Sequence, residues 1–102
     1  MQSEPVITFH NLPHSDGLEA LIRTRIAKLE QLSRRITSCR VAIEAVSRSA
    51  AGAERFEVTL DLALPGQSVI ARSEPHTEAQ AAVNEVFDVG RRKLIEQRDR
   101  KR

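Results

Sequence analysis

The sequence has few of the residues on which several common kinds of binding site depend. Its 102 residues include three Phe and no Trp or Tyr, which nearly excludes a platform of aromatic rings for reading single-stranded RNA. The one cysteine, Cys39, cannot form an internal disulfide, which favours a reducing cytoplasm. No run approaches the roughly 18 apolar residues of a membrane span, and no signal peptide is evident. We expect a soluble cytoplasmic protein with an aliphatic core and no membrane partner.

Residues suited to catalysis or metal binding are scattered along the chain. His10, His14 and His76 lack the paired spacing that is typical of zinc ligands. Cys39 falls on the inward face of a predicted strand, where a structural thiol is expected. No glycine-rich phosphate loop or nucleophile motif is present. We therefore expect a protein that is not an enzyme and that has no cofactor, metal ion or small-molecule substrate.

The charge is distributed unevenly, although the net charge is only +2. Residues 91–102 hold seven basic and two acidic residues, a net charge of +5, whereas residues 1–90 hold nine basic and twelve acidic residues, a net charge of −3. This asymmetry suggests a basic end directed at an anion. It also fits an ordinary solvated helix end, where the helix dipole favours Lys and Arg.

The first half of the chain shows a strand signal and then a helix signal. A β-rich segment closed by a turn predicts a strand at Val6–His10. Asp16 and Glu19 are spaced as the capping box of a helix that continues to about Ser33. The apolar residues of this helix recur with the 3.6-residue period; they are Leu18, Leu21, Ile22, Ile26, Leu29 and Leu32.

The middle of the chain alternates between apolar and polar residues, as strands with one buried face do. Residues 38–46 and 55–64 are predicted strands, joined by the small, polar and mobile connection 47–54. A hairpin turn at residues 65–67 leads into the returning strand at 68–73. These three strands are predicted to form an antiparallel meander.

A second helix follows, with Thr77 as its predicted cap and Gln80 as the capping-box partner. Gly90 lies within its apolar stripe and costs about 1 kcal/mol relative to Ala in a helix, so we expect a close approach there to the sheet or to the other helix. The predicted fold class is α+β, in the order β-α-β-β-β-α. Two helices pack on one face of a four-stranded sheet, as in double-stranded-RNA-binding domains.

Arg25 falls inside the apolar stripe of the first helix, between Leu21 and Ile22 when residues are projected at about 100° each. Its stem could pack while its head reaches water at the edge of the stripe. Alternatively, the stripe partly faces a groove between the two helices, where Arg25 and Lys28 join basic residues of the second helix. Such a furrow suits a phosphate backbone. The second-helix residues that flank the stripe are Arg91, Lys93 and Arg98.

Two long segments resemble a known family. IRTRIAKLEQLSRRITSCRVAIEA (residues 22–45) is similar to the first helix and second strand of the short ribosome hibernation-promoting factors and ribosome-associated translation inhibitors. HTEAQAAVNEVFDVGRRKL (residues 76–94) resembles the second helix of that family. The resemblance covers nearly the whole chain. Gln80 stands where the family often has Tyr, and Val89 where Lys is common, which could weaken ribosome binding or indicate a different RNA target.

The resemblance implies a ribosome-binding domain over residues 1–102, with its basic helix end at about 91–102. Such proteins bind the small ribosomal subunit in the channel of mRNA and tRNA and silence translation without catalysis when growth slows. Because the sequence shows no linker and second domain, we expect a short factor that needs a helper to pair ribosomes. The residues expected to contact rRNA are Arg25, Lys28 and Arg92, then Arg91, Lys93 and Arg98, with Arg35 and Arg40 as additions.

Two other functions remain open at this point. The first is a protein-interaction module that uses the sheet face or the 47–54 connection to bind a partner. The second is an RNA-binding relative of the family that acts on other structured RNA through the same basic residues. Charge reversal at Arg25 and Lys28 should leave partner binding intact in the first case, whereas the second predicts comparable affinity for generic duplex RNA and for ribosomes.

Overall fold

The predicted fold class is confirmed. In a computed structural model, which describes residues 1, 3–47 and 54–100, the elements follow the order β-α-β-β-β-α. Four strands form one sheet in the order β1-β2-β3-β4. The elements are β1 (Val6–His10), α1 (Asp16–Leu32), β2 (Ser38–Ser47), β3 (Glu54–Leu64), β4 (Gln67–Arg72) and α2 (Ala79–Arg100). Most of the predicted 47–54 connection lies outside the described residues.

The sheet is mixed, because the first strand pairs differently from the others. β2, β3 and β4 form the predicted antiparallel meander, whereas β1 pairs with β2 in parallel. A parallel pair needs a crossover connection, and α1 supplies it. Residues that are paired directly share a face, so the register aligns Ile7 with Val41, Leu60 and Ala71 on the face that the helices cover.

The core lies between that face and the two helices. The inward residues of β2 from Cys39 to Ala45 and the central inward residues of β3 and β4 are at most 8% exposed, and so are the central apolar residues of both helices. Phe56 and Leu64, towards the two ends of β3, are half-buried. The alternation predicted for β2 is confirmed, since Cys39, Val41, Ile43 and Ala45 are all buried. The opposite face of the sheet, which we call the outer face, carries the other set of residues. Its largest exposed apolar side chains are Val6 and Ile70.

Gly90 lies where α2 crosses the sheet, as its place in the apolar stripe predicted. A Cβ atom built on Gly90 would lie 2.6 Å from Cδ2 of Leu60, a residue of β3 that is fully buried. This distance is shorter than any ordinary carbon–carbon contact. Glycine therefore lets α2 approach the sheet at this point, and the expected close approach is to the sheet.

The start of α1 differs from the prediction by one residue. Ser15, not Asp16, is the N-cap, and its hydroxyl accepts a hydrogen bond of 3.2 Å from the backbone N–H of Leu18. Ser15 has the extended backbone that an N-cap requires. Glu19 does not complete a capping box; its carboxylate accepts a 3.0 Å hydrogen bond from Arg23 and contacts His14. The capping box was wrong because two adjacent residues were both good caps.

The start of α2 also differs, because a bridge holds the preceding chain in an extended form. His76 and Phe56 exchange two backbone hydrogen bonds of 2.7 and 3.0 Å. The chain therefore stays beside β3 as far as His76, and the helix begins only at Ala79. Thr77 lies two residues before that point, so the predicted pair of Thr77 and Gln80 is not the capping box of α2.

Candidate nucleic-acid interface

A groove runs between α1 and α2 on the side of the helices that faces away from the sheet. Its volume is about 280 Å³. The basic side chains that line it are Arg25 and Lys28 from α1 and Arg91 from α2. We call it the interhelical groove, and its remaining lining residues are Leu29, Asn84, Phe87 and Asp88. The structure thus brings Arg25 and Lys28 together with Arg91, one of the three second-helix cations that were expected to join them.

Arg25 is held in place by the opposite helix. One of its terminal nitrogens donates a 2.7 Å hydrogen bond to Oδ1 of Asn84. Its Nε atom is buried and has no hydrogen-bond partner among the described residues. A buried donor without an acceptor costs free energy, which an incoming anionic oxygen can recover. Arg25 is therefore a fixed, partly desolvated cation rather than a freely snorkelling side chain.

The other two cations of the groove are exposed. Lys28 and Arg91 form no ion pair within 4.0 Å in the described part of the chain. Asp88 also lines the groove, and it is the one acidic side chain there. The lining residues thus carry three positive charges and one negative charge. Unpaired cations on two facing walls can contact an anionic polymer from both sides.

A second cavity lies further along the same pair of helices, and it holds two of the other predicted residues. Arg35 and Arg98 lie at this cavity together with Arg34. Its volume is about 210 Å³, and we call it the end cavity. α1 ends at this cavity, and α2 is in its last turns there. The two helices therefore run in roughly the same direction, and the end cavity continues the line of the groove.

Three further predicted residues lie outside both cavities. Arg92 is exposed on the side of α2 that faces away from the sheet, and its Nε donates a long 3.5 Å hydrogen bond to the Asp88 carbonyl. Lys93 turns towards the sheet edge, where its Nζ donates a 2.7 Å hydrogen bond to the Ile70 carbonyl. Arg40 is exposed on the outer face, beside Asp61 in the register. Arg40 therefore does not belong to the surface that the two helices form.

Asn84 and Asp88 in the groove and Arg34 at the end cavity were not among the predicted contact residues. Asn84, Asp88 and Arg91 are spaced at i, i+4 and i+7, so they share one side of α2. This spacing was the available signal for a polar strip next to the apolar stripe. The contact between Asn84 and Arg25 could not be found in this way, since it depends on how the two helices are rotated against each other.

Burial or a hydrogen bond perturbs two of the potentially reactive groups of the chain. Burial raises the pKa of the Cys39 thiol to about 12, with smaller contributions from Asp61 and Glu30. The Nε2 atom of His76 lies 2.5 Å from Oε1 of Glu85, and this hydrogen bond lowers the pKa of Glu85. Among the described residues, no three His, Cys, Asp or Glu side chains are grouped so that they could hold a metal ion.

Comparison with known proteins identifies the family. A family model described as "Sigma 54 modulation protein / S30EA ribosomal protein" matches residues 6–102. The chain belongs to this family. Its members are ribosome-associated modulation or hibernation factors, which are generally non-catalytic, so the chain is a ribosome-associated factor of translation regulation. Ribosome association in turn implies the cytoplasm.

Solved structures share the fold at low sequence identity. A ribosomal subunit interface protein from Coxiella burnetii is 13% identical, with a TM-score of 0.80, over 93% of this chain and 97% of that one. The N-terminal domain of Thermus thermophilus Protein Y is 20% identical, with a TM-score of 0.69, over 100% of both chains. At these identities the likeness concerns the fold alone. No curated protein sequence matches the chain. Neither described helix is long and apolar enough to cross a membrane.

Proposed function

We propose that the protein binds rRNA of the small ribosomal subunit through the interhelical groove and blocks the channel of mRNA and tRNA by occupying it. The observation that supports this most directly is the set of three cations, Arg25, Lys28 and Arg91, on the two walls of one groove. The buried, unsatisfied Nε of Arg25 among the described residues adds a donor that a phosphate oxygen would satisfy.

The mechanism needs no reaction, because occupancy alone excludes the translation substrates. Arg25 is oriented by Asn84 before any ligand arrives, so little side-chain entropy is lost when it meets a phosphate. Lys28 and Arg91 add exposed charges that attract RNA over a longer range. The protein therefore acts without a cofactor, as a reversible steric inhibitor. Its release depends on competition from mRNA and tRNA and on ionic strength.

Electrostatic binding of this kind has a measurable salt dependence. If about four phosphate contacts form, affinity for the small subunit should fall about a hundredfold between about 50 and 200 mM monovalent salt. Sedimentation of the protein with purified small and large subunits at the two salt concentrations tests both the dependence and the choice of subunit. A salt-independent interaction, or equal binding to both subunits, would contradict the proposal.

Occlusion is tested separately by competition. We expect tRNA bound to the programmed small subunit to reduce binding of the protein, and the protein to reduce binding of tRNA reciprocally. An Arg25→Glu/Lys28→Glu variant should neither bind nor compete. Simultaneous binding of the protein and tRNA would refute occlusion while leaving rRNA binding intact. Undiminished binding of the folded variant would favour an interaction through the outer face of the sheet.

A further inference from the structure

The end cavity differs in chemistry from the interhelical groove. Its floor is apolar and is formed by Leu32, Leu64, Leu94 and Ile95, whereas three arginines stand around it. The groove, in contrast, is lined mainly by charged and polar side chains. A phosphate backbone alone would make no favourable contact with an apolar floor of this kind. The ligand that fits must combine an apolar, compact body with a negative charge.

The size of the cavity suits a single heterocyclic ring system. Its volume is about 210 Å³, which exceeds the roughly 150 Å³ of an engineered apolar cavity that accepts benzene. Aliphatic side chains contact the flat face of a ring, and arginine guanidinium planes can stack on nucleobases where aromatic side chains are absent. The chain has no Trp or Tyr, so stacking here would depend on these two groups.

The cavity also offers hydrogen-bonding groups for the edge of a ring. Ser33, Gln67 and Gln97 line it. The Oε1 atom of Gln97 is buried and lacks a hydrogen-bond partner among the described residues. A carboxamide presents an acceptor and two donors, which can pair with the polar edge of a nucleobase. An aliphatic ligand such as a fatty acid would leave these groups unsatisfied.

The position of the cavity links it to the groove. Along α2, Arg91 of the groove and Arg98 of the end cavity are seven residues apart, or roughly 10 Å at the helical rise of about 1.5 Å per residue. Along α1, Lys28 lies one turn before Leu32. An RNA strand that follows the groove therefore reaches the end cavity within a few nucleotides. The three arginines around the cavity can hold the phosphates that flank one nucleotide.

We propose that the end cavity receives one unpaired nucleobase of the bound RNA, turned out of its stack, while Arg34, Arg35 and Arg98 hold its flanking phosphates. This inference rests on the proposed function, since the RNA in question is the rRNA that lies along the groove. It adds a base-reading position to a surface that otherwise contacts only the backbone. The cavity would thereby select a site on the ribosome rather than any RNA of sufficient charge.

The proposal is tested by filling the cavity without changing its charge. Ser33 has an extended backbone, with φ −139° and ψ 113°, which a β-branched residue adopts readily. Ser33→Ile therefore adds apolar volume to the cavity. Ser68→Ile makes the same substitution on an exposed position of β4 and serves as the matched control. Gln97→Leu replaces the carboxamide with an apolar group of similar size. This variant should fold normally, because the carboxamide oxygen has no hydrogen-bond partner among the described residues.

Base-specific chemical probing of small-subunit rRNA, together with hydroxyl-radical probing of its backbone, gives the readout. Saturating wild-type protein and Ser68→Ile should protect at least one unpaired base. Ser33→Ile and Gln97→Leu should raise the chemical reactivity of that base about tenfold above its level with wild type, the effect of one lost base contact. Backbone protection by the groove should persist in both variants. Lys28→Glu/Arg91→Glu, which reverses two groove cations, should remove both kinds of protection.

Each contrary outcome has a distinct meaning. The proposal is overturned if the bound Ser33→Ile variant protects the base as well as wild type does. It is also overturned if wild type gives a clear backbone footprint but protects no base. Both outcomes leave rRNA binding in place. Binding of free adenosine monophosphate by wild type, combined with unchanged base protection, also overturns it, because the cavity would then be a site for small nucleotides. The absence of any backbone footprint with wild type would instead overturn the proposed function, and this inference with it.

Discussion

Replacing Gly90 by alanine should destabilise the protein, although alanine is the better helix former. The new methyl group would lie 2.6 Å from Cδ2 of Leu60. Leu60 is fully buried in the middle of β3, so its side chain has little room to move aside. Either Leu60 changes its rotamer or α2 shifts away from the sheet, and both disturb the core.

The magnitude follows from two opposing effects. Alanine gains about 1 kcal/mol over glycine inside a helix, whereas overpacking a core typically costs about 1–3 kcal/mol. We expect a net loss of about 1 kcal/mol. Gly17→Ala is the matched control, since a Cβ atom at Gly17 would meet only Ser15 Oγ, at 3.9 Å. That variant should gain up to about 1 kcal/mol.

Thermal unfolding of the two alanine variants provides the assay. A difference of about 1–2 kcal/mol separates their midpoints by roughly 4–16 °C for a domain of this size. In a double-mutant cycle, Leu60→Val removes the obstructing atom, so its combination with Gly90→Ala should be about 1 kcal/mol more stable than additivity predicts. If Gly90→Ala raised the midpoint as much as Gly17→Ala, the close approach of α2 to the sheet would be refuted.

Three further predictions concern other parts of the structure. Cys39, with a thiol pKa raised to about 12 by burial, should react with a disulfide reagent at about pH 8 only after unfolding; rapid labelling of the native protein would contradict its burial. Glu85→Gln should lower the free energy of unfolding more at about pH 6 than at about pH 3. The hydrogen bond from His76 lowers the Glu85 pKa, so its contribution is full above the ordinary Glu pKa and is lost as pH falls through the lowered one. Denaturant titrations at both pH values measure this, and equal losses would contradict it. Asn84→Ala should weaken rRNA binding about tenfold by releasing Arg25; unchanged affinity in a filter-binding assay would show that Arg25 needs no such support.

The element order could be predicted because the periodicity of each segment was unambiguous. The β-strand Val6–His10 has the predicted bounds, and the alternation from Cys39 to Ala45 correctly assigned the buried face of β2. The helix starts were displaced by one or two residues, the usual uncertainty of helix boundaries. For α2 the cause was tertiary, since the bridge between Phe56 and His76 has no local signal.

The candidate site was predictable only in part. Arg25 was found because a cation inside an apolar stripe is conspicuous on a helical projection. The position of Arg40 on the sheet face away from the helices was already implied by strand alternation, which places it opposite Cys39. The separation of Arg91, Lys93 and Arg98 into three environments depends on the rotation of α2 about its axis. That rotation is set by packing against the sheet, including the contact at Gly90.

The central claim is that RNA binds through the interhelical groove, and a pair of matched charge reversals tests it most directly. Lys28→Glu/Arg91→Glu changes two exposed cations of the groove, and Arg55→Glu/Arg72→Glu changes two exposed cations on strands β3 and β4. Both variants alter the net charge equally, so they differ only in position. The affinity of each for the small ribosomal subunit should be measured at about 100 mM salt. We expect the groove variant to lose at least about a hundredfold and the strand variant less than about fivefold. Equal losses, or none in the groove variant, would contradict the assignment of the groove as the RNA-binding surface.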